Sequence, residues 1–325
     1  MTFKAYQVEE QAGTFVGHVV EKPFEALPPG EVTIRVLYSA LNYKDALSAT
    51  GNRGVTKNYP HTPGIDACGI VTDSKEERFK AGEQVLVTSY DLGMNTAGGF
   101  AEYIRVPASW VVPLPEGLSV REAMMLGTAG LTAAMAIETL ERCGLNSPIL
   151  VTGASGGVGS IAVALLKQLG YSVIASTGSE TAHTMLNTLG TDQIISRNDL
   201  SNVSERPVLK PLYGGAVDTV GGSTLVHILK SLQPGSSVAA CGLVGGVELP
   251  LTVYPFILRG VNLLGIDSQS YPMNLRESLW QKLATTWKTN LETLTTEINL
   301  HRVPAAIEAI LSGKTQGHTL IKIAD

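Results

Sequence analysis

The segment from Ile149 to Ser160 constrains the fold more than any other stretch of the chain. It begins with three apolar residues and continues Thr-Gly-Ala-Ser-Gly-Gly-Val-Gly-Ser. This pattern predicts a buried strand that turns sharply into a helix. Gly156 would let the backbone approach a ligand, and Gly159 would let the helix pack tightly on the strand. Free N–H groups at a helix start bind phosphate, so we expect a site for the pyrophosphate of NAD(P)(H).

The neighbouring segments support a dinucleotide site, although Ala154 stands at the first glycine position of the G-x-G-x-x-G pattern. Helices and parallel-type strands alternate on both sides of this turn, which predicts a doubly wound parallel sheet. The predicted helices are 121–142, 160–169 and 181–189, and the predicted strands are 149–152, 171–176, 193–196, 215–219, 237–241 and 262–266.

The rest of the chain has a different sequence pattern from the segments that form this predicted sheet. Alternating residues from Glu31 to Tyr38 and short apolar runs at 64–72 and 83–88, separated by Pro and Gly turns, predict a β-rich first domain. The predicted helices 275–294 and 303–312 and the strand 319–323 are expected to return to it. We therefore expect an α/β protein with a β-rich domain at 1–120 and 270–325, and a cofactor domain at 121–269.

The end of the second strand of the cofactor domain indicates which cofactor is bound. NAD-specific folds place a carboxylate there to bind the ribose hydroxyls. This chain has Thr177, Gly178 and Ser179 instead, with no carboxylate before Glu180. Hydroxyl and N–H donors suit a 2′-phosphate, which favours NADPH. Arg197, after the next strand, either folds over that phosphate or is a solvated loop charge.

Composition excludes several functional classes. A net charge of -5 over 325 residues leaves no basic footprint for nucleic acid or an anionic membrane surface. The start of the chain does not resemble a signal peptide, and we expect no apolar stretch long enough to span a bilayer, so a cytoplasmic location is expected. Cys68, Cys143 and Cys241 are far apart, which indicates free thiols rather than disulfides.

Several strings along the whole chain resemble the medium-chain dehydrogenase/reductase superfamily. They are Ser39-Ala-Leu-Asn-Tyr-Lys-Asp-Ala-Leu, Pro63-Gly-Ile-Asp, Gly98-Gly-Phe-Ala-Glu, Gly127-Thr-Ala-Gly-Leu-Thr-Ala, the glycine turn at 151–160, Val253-Tyr-Pro-Phe-Ile-Leu-Arg-Gly and Gly313-Lys-Thr-Gln-Gly-His-Thr-Leu. They look like the quinone-oxidoreductase-like branch, and within it most like the NADPH-dependent acryloyl-CoA reductases. The resemblance implies a GroES-like catalytic domain and a Rossmann NADP-binding domain.

Residues that hold zinc in other members of this superfamily are missing here. Zinc alcohol dehydrogenases have a cysteine ligand in the stretch that reads Ser39 to Asp45, and a Gly-His-Glu string where this chain has Gly64-Ile-Asp66. A catalytic zinc needs three protein ligands, and Cys68 with His61 is only a pair. We therefore expect no metal, and a reaction that does not need a Lewis acid.

The resemblance places the active-site wall at the four polar residues from Asn42 to Asp45. We expect this loop to face the nicotinamide, and a solvated turn is the alternative. Asn42 is expected to donate to a carbonyl, Tyr43 to contact the cofactor and donate a proton or hydrogen bond, and Asp45 to orient its neighbours or relay a proton. Asp66 is either a second acid at this wall or a partner for backbone N–H groups, and Glu102 is expected to be structural.

Further contacts follow from family position. Cofactor contacts are expected at Tyr43, Ser155, Gly156, Gly157, Val158, Thr177, Gly178, Ser179, Arg197, Leu243, Ile257 and Ser268. For the phosphates of a CoA substrate the candidate cations are Arg53, Lys57, Arg259 and Lys314, and solvated surface charges are the alternative.

The activity that the resemblance implies is NADPH-dependent reduction of the C=C bond of acryloyl-CoA to propanoyl-CoA. The nearest alternative is a reductase of quinones or free enones. An alternative of another class is an NADPH-binding redox sensor or partner-binding protein without turnover. Related proteins extend one sheet across two subunits through the strand near 261–266, so a homodimer is also expected.

Overall fold

The computed structural model describes residues 1–201 and 204–324. The strands are β1 (Thr2–Gln11), β2 (Thr14–Pro23), β3 (Val32–Leu41), β4 (Asp66–Ser74), β5 (Gln84–Thr88), β6 (Tyr103–Val106), β7 (Val112–Pro113), β8 (Ile149–Val151), β9 (Val173–Thr177), β10 (Gln193–Ser196), β11 (Gly215–Asp218), β12 (Ser237–Ala240), β13 (Asn262–Gly265), β14 (Thr295–Asn299) and β15 (His318–Lys322). The helices are α1 (Tyr43–Ala49), α2 (Val120–Arg142), α3 (Gly157–Gln168), α4 (His183–Thr188), α5 (Asn198–Ser201), α6 (Gly222–Ser231), α7 (Tyr254–Arg259), α8 (Met273–Ala284) and α9 (Val303–Leu311).

One of two compact units contains Gly130–Asp267 and Trp287–Leu294 and is built on a six-stranded sheet. Its strands run in the order β10-β9-β8-β11-β12-β13, and every neighbouring pair is parallel. This order is that of the Rossmann fold, in which the direction of winding reverses between β8 and β11. Dinucleotides bind at the carboxyl ends of the strands at such a switch point. The predicted doubly wound parallel sheet is confirmed.

The other unit contains Met1–Ala129, Ser268–Thr286 and Thr295–Asp325. Its main sheet has the order β14-β15-β3-β4-β5-β7, with β6 paired to β3, and β1 and β2 form a separate antiparallel pair. Val32, Ile34 and Val36 alternate along β3 and all point into one core, where they meet Phe79 and Ile104. The predicted β-rich half of the fold is confirmed as a mixed, mainly antiparallel sheet.

Two predicted elements differ from the structure. The helix predicted to run to residue 294 ends at Ala284, because Thr285 has a non-helical backbone (φ -127°, ψ -96°). The segment from Asn42 to Asp45, predicted as a loop, is the start of helix α1, with Asn42 as its N-cap. An amide side chain at the N-cap and a carboxylate at the third helical position are typical of a helix start, and that signal was present in the sequence.

Helix α2 is long and apolar, and it is broken in the middle. Its mean hydropathy of 1.3 over 18 residues would suit a membrane span, contrary to the expectation of no such stretch, but 89% of that window is buried within the protein. Because it is buried, α2 is a helix of the protein core. Gly127 interrupts it with φ 53° and ψ -154°, a conformation that favours glycine.

Packing at the glycine turn predicts a stability difference between two glycine variants. A Cβ on Gly159 would lie 2.2 Å from the Gly153 carbonyl oxygen, whereas a Cβ on Gly156 would lie 3.4 Å from the same oxygen. We expect Gly159→Ala to lower the free energy of unfolding by about 1–3 kcal/mol, the usual cost of overpacking. Urea unfolding followed by circular dichroism measures this, with Gly156→Ala as the matched control. Equal stability of the two variants would contradict the packing argument.

Candidate functional site: a dinucleotide turn and a buried carboxylate pair

The predicted phosphate-binding turn has the expected local geometry. Gly153, at φ +56°, turns the chain after β8, and its carbonyl accepts a hydrogen bond of 2.9 Å from the N–H of Gly156. Helix α3 begins at Gly157, so the N–H groups of its first turn are available to an anion. Gly159 packs against the Gly153 carbonyl, as the strand-turn-helix pattern predicts.

Side chains from the next two strands meet beside this turn. The Thr177 hydroxyl donates to Ser155 Oγ at 2.9 Å and accepts from the Ser179 N–H at 3.1 Å. The backbone N–H of Arg197 donates to the Thr177 carbonyl at 2.9 Å. Its guanidinium lies against Gly178, because a Cβ there would be 2.3 Å from Arg197 Nε and Nη2. The structure thus brings the predicted 2′-phosphate residues of β9 and Arg197 together.

A buried aspartate outside the set of predicted site residues fixes the switch point. Asp218, at the end of β11, accepts from the Thr152 hydroxyl at 2.6 Å and from the Gly221 N–H at 2.9 Å. Burial raises its pKa, and the hydrogen bond from Thr152 opposes that rise. The pair joins the carboxyl ends of β8 and β11. The sequence feature that could have identified Asp218 is its position directly after the apolar residues of a parallel strand.

A cavity of about 440 Å³ lies at the carboxyl ends of β12 and β13, lined by residues 240–243 and 265–267. Leu243, an expected cofactor contact, lines this cavity and is 60% exposed. Ile257, in α7, is also exposed but does not line it. Ser268 belongs to the other unit, where its carbonyl accepts from Arg276 Nη2 at 2.9 Å. The cofactor roles of these three residues stay predictions.

In the β-rich unit, Asp45 fixes the start of α1 to the segment before β4. The side chain is fully buried. One carboxylate oxygen accepts from the Asn42 N–H at 2.8 Å, and the other accepts from the N–H groups of Gly64 and Ile65 at 3.1 and 2.8 Å. Burial raises the pKa of Asp45 to about 7, and these hydrogen bonds to the anion oppose the rise. The geometry supports the expected orienting role.

Asp66, at the start of β4, is the second fully buried carboxyl group. It accepts from the Thr128 N–H at 2.9 and 3.0 Å, from the Thr128 hydroxyl at 2.7 Å, and from Asn42 Nδ2 at 2.8 Å. Burial raises the pKa of Asp66 to about 6, opposed by the Thr128 hydrogen bonds. A Cβ at Gly127 would lie 2.6 Å from its carboxylate, so only glycine fits there. Asp66 therefore binds one backbone N–H group and two side chains.

This arrangement defines what the Asn42 and Tyr43 side chains can offer a ligand. The amide nitrogen of Asn42 already donates to Asp66, which favours an acceptor role for its oxygen over the expected donor role. Tyr43 is 40% exposed, and its hydroxyl makes no hydrogen bond to any other residue that the structure describes. Lys44 points away into a 2.7 Å hydrogen bond with the Gln269 side chain.

The residues present do not form a zinc site. Within 1–201 and 204–324, no three His, Cys, Asp or Glu side chains are grouped to hold a metal ion. His61 Nε2 lies 2.9 Å from the Gly93 carbonyl oxygen, and burial raises the pKa of the Cys68 thiol, which disfavours the thiolate that would bind a metal.

Two of the cations considered for CoA phosphates have structural partners instead. Arg53 pairs with Glu10 and lies over the rings of Phe15 and Tyr59. Arg259 donates to backbone carbonyl groups of the sheet unit, among them those of residues 230 and 232. Lys57 and Lys314 are exposed. Glu102 accepts from the Lys4 N–H at 2.7 Å, which confirms its structural role.

The two raised carboxyl pKa values predict how stability depends on pH. Asp45 and Asp66 bind a proton more tightly in the folded chain than in the unfolded chain, so folding takes up protons. Stability should therefore fall as pH rises from about 4 to about 7, each group contributing on the order of 3 to 4 kcal/mol. We expect Asp66→Asn to flatten this decline, measured by urea unfolding at several pH values. Asp73→Asn, at an exposed position, should leave the decline unchanged, and an unaltered slope in Asp66→Asn would contradict the assignment.

Two family models match the chain. "Alcohol dehydrogenase GroES-like domain" matches residues 28–116, and "Zinc-binding dehydrogenase" matches residues 157–285. The second description names zinc, and the residues that the structure describes contain no group of three His, Cys, Asp or Glu side chains that could hold it.

Full-length relatives and solved structures agree with these models. The chain is 44% identical to the putative quinone oxidoreductase YhfP of Bacillus subtilis, with 99% of each protein covered. It is 44% identical to the probable acrylyl-CoA reductase AcuI of Escherichia coli, covering 98% of this chain and 99% of that one. The crystal structure of E. coli YhdH with bound NADPH matches with a TM-score of 0.95 at 44% identity, covering 98% and 99% of the two chains. With this similarity over its whole length, the chain belongs to the medium-chain dehydrogenase/reductase superfamily, in the quinone-oxidoreductase-like branch that includes YhfP and AcuI.

Proposed function

We propose that this protein uses NADPH to reduce the C=C bond of acryloyl-CoA to propanoyl-CoA. The observation that carries the proposal is the full-length 44% identity to a protein named as an acrylyl-CoA reductase. The reaction adds a hydride to the β-carbon and a proton to the α-carbon, while negative charge develops on the thioester oxygen between the two steps. The protein must therefore bind both molecules, stabilise that charge and supply the proton.

Two sets of observations support NADPH as the cofactor. The carboxyl end of β9 offers hydroxyl groups in place of a carboxylate, and the Arg197 guanidinium, which follows β10, lies against Gly178, a chemistry that suits a 2′-phosphate. A Salmonella enterica relative was crystallised with NADP and the E. coli relative with NADPH, whereas the B. subtilis relative was crystallised with NAD. NADPH supplies the hydride, and the chain supplies the residues that bind and orient it. We propose Ser155 to Val158 for the pyrophosphate and Thr177 to Ser179 for the phosphorylated ribose.

We propose that Asn42 and Tyr43 act on the substrate. Asp45 and Asp66 hold Asn42 from its backbone N–H and its amide, so this side chain keeps one orientation without paying an ordering cost on binding. Tyr43 follows it on the first turn of α1 with an uncommitted hydroxyl. A phenol can donate a hydrogen bond to the thioester oxygen or a proton to the α-carbon. Asp45 and Asp66 are positioning residues in this scheme, since their oxygens are occupied by protein donors.

A quinone or free enone reductase is the second candidate, supported by the name of the YhfP relative. The two candidates differ in their use of the CoA handle, because remote binding energy raises the rate at the reacting carbon only where the handle is bound. NADPH oxidation should be measured in parallel with acryloyl-CoA, crotonoyl-CoA and a benzoquinone. A preference for acryloyl-CoA supports the proposal, and a preference for the quinone supports the second candidate instead. Tight NADPH binding without turnover would favour a redox-sensing or partner-binding protein.

We also propose a cytoplasmic homodimer. Strand β13 is an edge of the parallel sheet, and its Leu263 is 37% exposed. Exposed apolar side chains precede it, among them Val253, Ile257 and Leu258. An unpaired apolar edge favours pairing with a second copy. A molar mass equal to that of one subunit, measured by light scattering, would contradict the dimer.

Replacing the Tyr43 hydroxyl tests the assigned chemistry. We expect Tyr43→Phe to lower kcat with acryloyl-CoA by about 100-fold, within the range for loss of a general acid, while NADPH affinity stays nearly unchanged. Steady-state kinetics and a fluorescence titration measure the two quantities. Tyr103→Phe, on β6 and packed among Phe3 and Phe24, is the matched control. Wild-type kcat in Tyr43→Phe would exclude a role for this hydroxyl.

Arg197 tests the cofactor assignment. Loss of one charge-assisted contact to a phosphate should raise the KM for NADPH about tenfold in Arg197→Gln. The KM for NADH should hardly change, because NADH lacks the 2′-phosphate. Arg142→Gln removes an exposed arginine that pairs with Glu138 and serves as the control. A parallel rise in both KM values would mean that Arg197 acts on the fold rather than on the phosphate.

A further inference from the structure

A second cavity, of about 380 Å³, lies in the β-rich unit between helix α9 and the paired strands β14 and β15. One wall is a face of α9 that carries Ala305 and Ala309, and Arg302 lies at the N-cap, one residue before this helix begins. The opposite wall includes Thr296 and Thr319, which are register partners on neighbouring strands and point to the same side of the sheet. We call this cavity the α9 groove.

The α9 groove is positively charged. Arg302 and Lys314 both line it, and within the part of the chain that the structure describes neither side chain forms an ion pair or a hydrogen bond. The nearest acidic residue on β14, Glu297, lies on the other face of the strand, where it accepts from Arg121 Nε at 2.8 Å. No acidic side chain lines the groove among the described residues. Two uncompensated cations therefore face a cavity that also offers threonine hydroxyls.

The lining also includes apolar surface. Ala305 and Ala309 on the helix, together with Ile298 on β14, carry no polar side-chain atoms. A volume of 380 Å³ is within the range of roughly 300–1,000 Å³ typical of small-molecule sites. An inorganic anion would leave this apolar part uncovered, whereas an anion carried on an organic group would use both parts of the lining.

We propose that the α9 groove binds the phosphate ester of an organic molecule. The Arg302 guanidinium presents a planar fork that matches phosphate oxygens, the Lys314 ammonium adds a second charge, and Thr296 and Thr319 supply hydroxyl donors. The apolar residues contact the organic part. One source of this chemistry is the 3′-phosphate and ADP portion of CoA, an identification that rests on the proposed function. The other source is a free adenine nucleotide that acts as an effector.

A binding experiment tests the groove independently of turnover. Adenosine 3′,5′-bisphosphate is titrated calorimetrically into protein saturated with NADP⁺, so that the dinucleotide site is filled. We expect Arg302→Gln and Lys314→Gln each to weaken binding about tenfold, and Lys75→Gln, which removes an exposed lysine outside the groove, to leave it unchanged. Absence of binding, or equal affinity in all four proteins, would overturn the proposal.

Kinetics of the same variants separate the two sources. If the groove holds the CoA handle, the KM for acryloyl-CoA rises about tenfold in Arg302→Gln and Lys314→Gln, while the KM for acryloyl-pantetheine does not change. If the variants weaken the binding of adenosine 3′,5′-bisphosphate but leave the KM for acryloyl-CoA unchanged, the ligand of the groove is a separate nucleotide. If the wild-type protein does not turn over acryloyl-CoA, the proposed function is wrong. The calorimetric titration then tests by itself whether the α9 groove binds a phosphate ester.

Discussion

The hydrogen bonds of the Asp66 carboxylate hold together three segments of the β-rich unit that are far apart in sequence. They are the junction of β3 and α1 through Asn42, the start of β4, and the middle of α2 through Thr128. A buried carboxylate is unfavourable unless its oxygens are satisfied, and here N–H and O–H donors surround it. Removing any donor would leave part of that cost uncompensated, so the orientation of Asn42 depends on a correctly packed α2.

This network occupies a region where relatives in the superfamily keep zinc ligands. The sequence resemblance places Asp66 in the stretch corresponding to their Gly-His-Glu string, and the structure gives its oxygens to Thr128 and Asn42. Each of the two carboxylate oxygens accepts from Thr128, and one of them also accepts from the Asn42 amide. The same backbone position therefore serves a different purpose, to orient an amide and the first turn of a helix that carries Tyr43.

Much of the fold was predictable because it depends on local patterns. The strand 193–196 was located correctly, and the glycine turn identified the parallel sheet, since both depend on short apolar runs and on glycine. Strand β14 was missed because it is an edge strand with one strongly apolar residue, Ile298, and therefore lacks the usual alternation. The partners of Asp66 and the approach of Arg197 to Gly178 join residues distant in sequence, and a single sequence carries no signal for such contacts.

The break at Gly127 has an electrostatic consequence. It divides one long helix into two, and the second part starts at Thr128, whose N–H points to Asp66 rather than into the preceding turn. The Thr128 N–H, at the start of the second part, therefore places the positive end of its peptide dipole against a fully buried carboxylate. This field opposes the effect of burial on Asp66. A single glycine thus makes the interior of the β-rich unit more tolerant of negative charge than its apolar composition alone would allow.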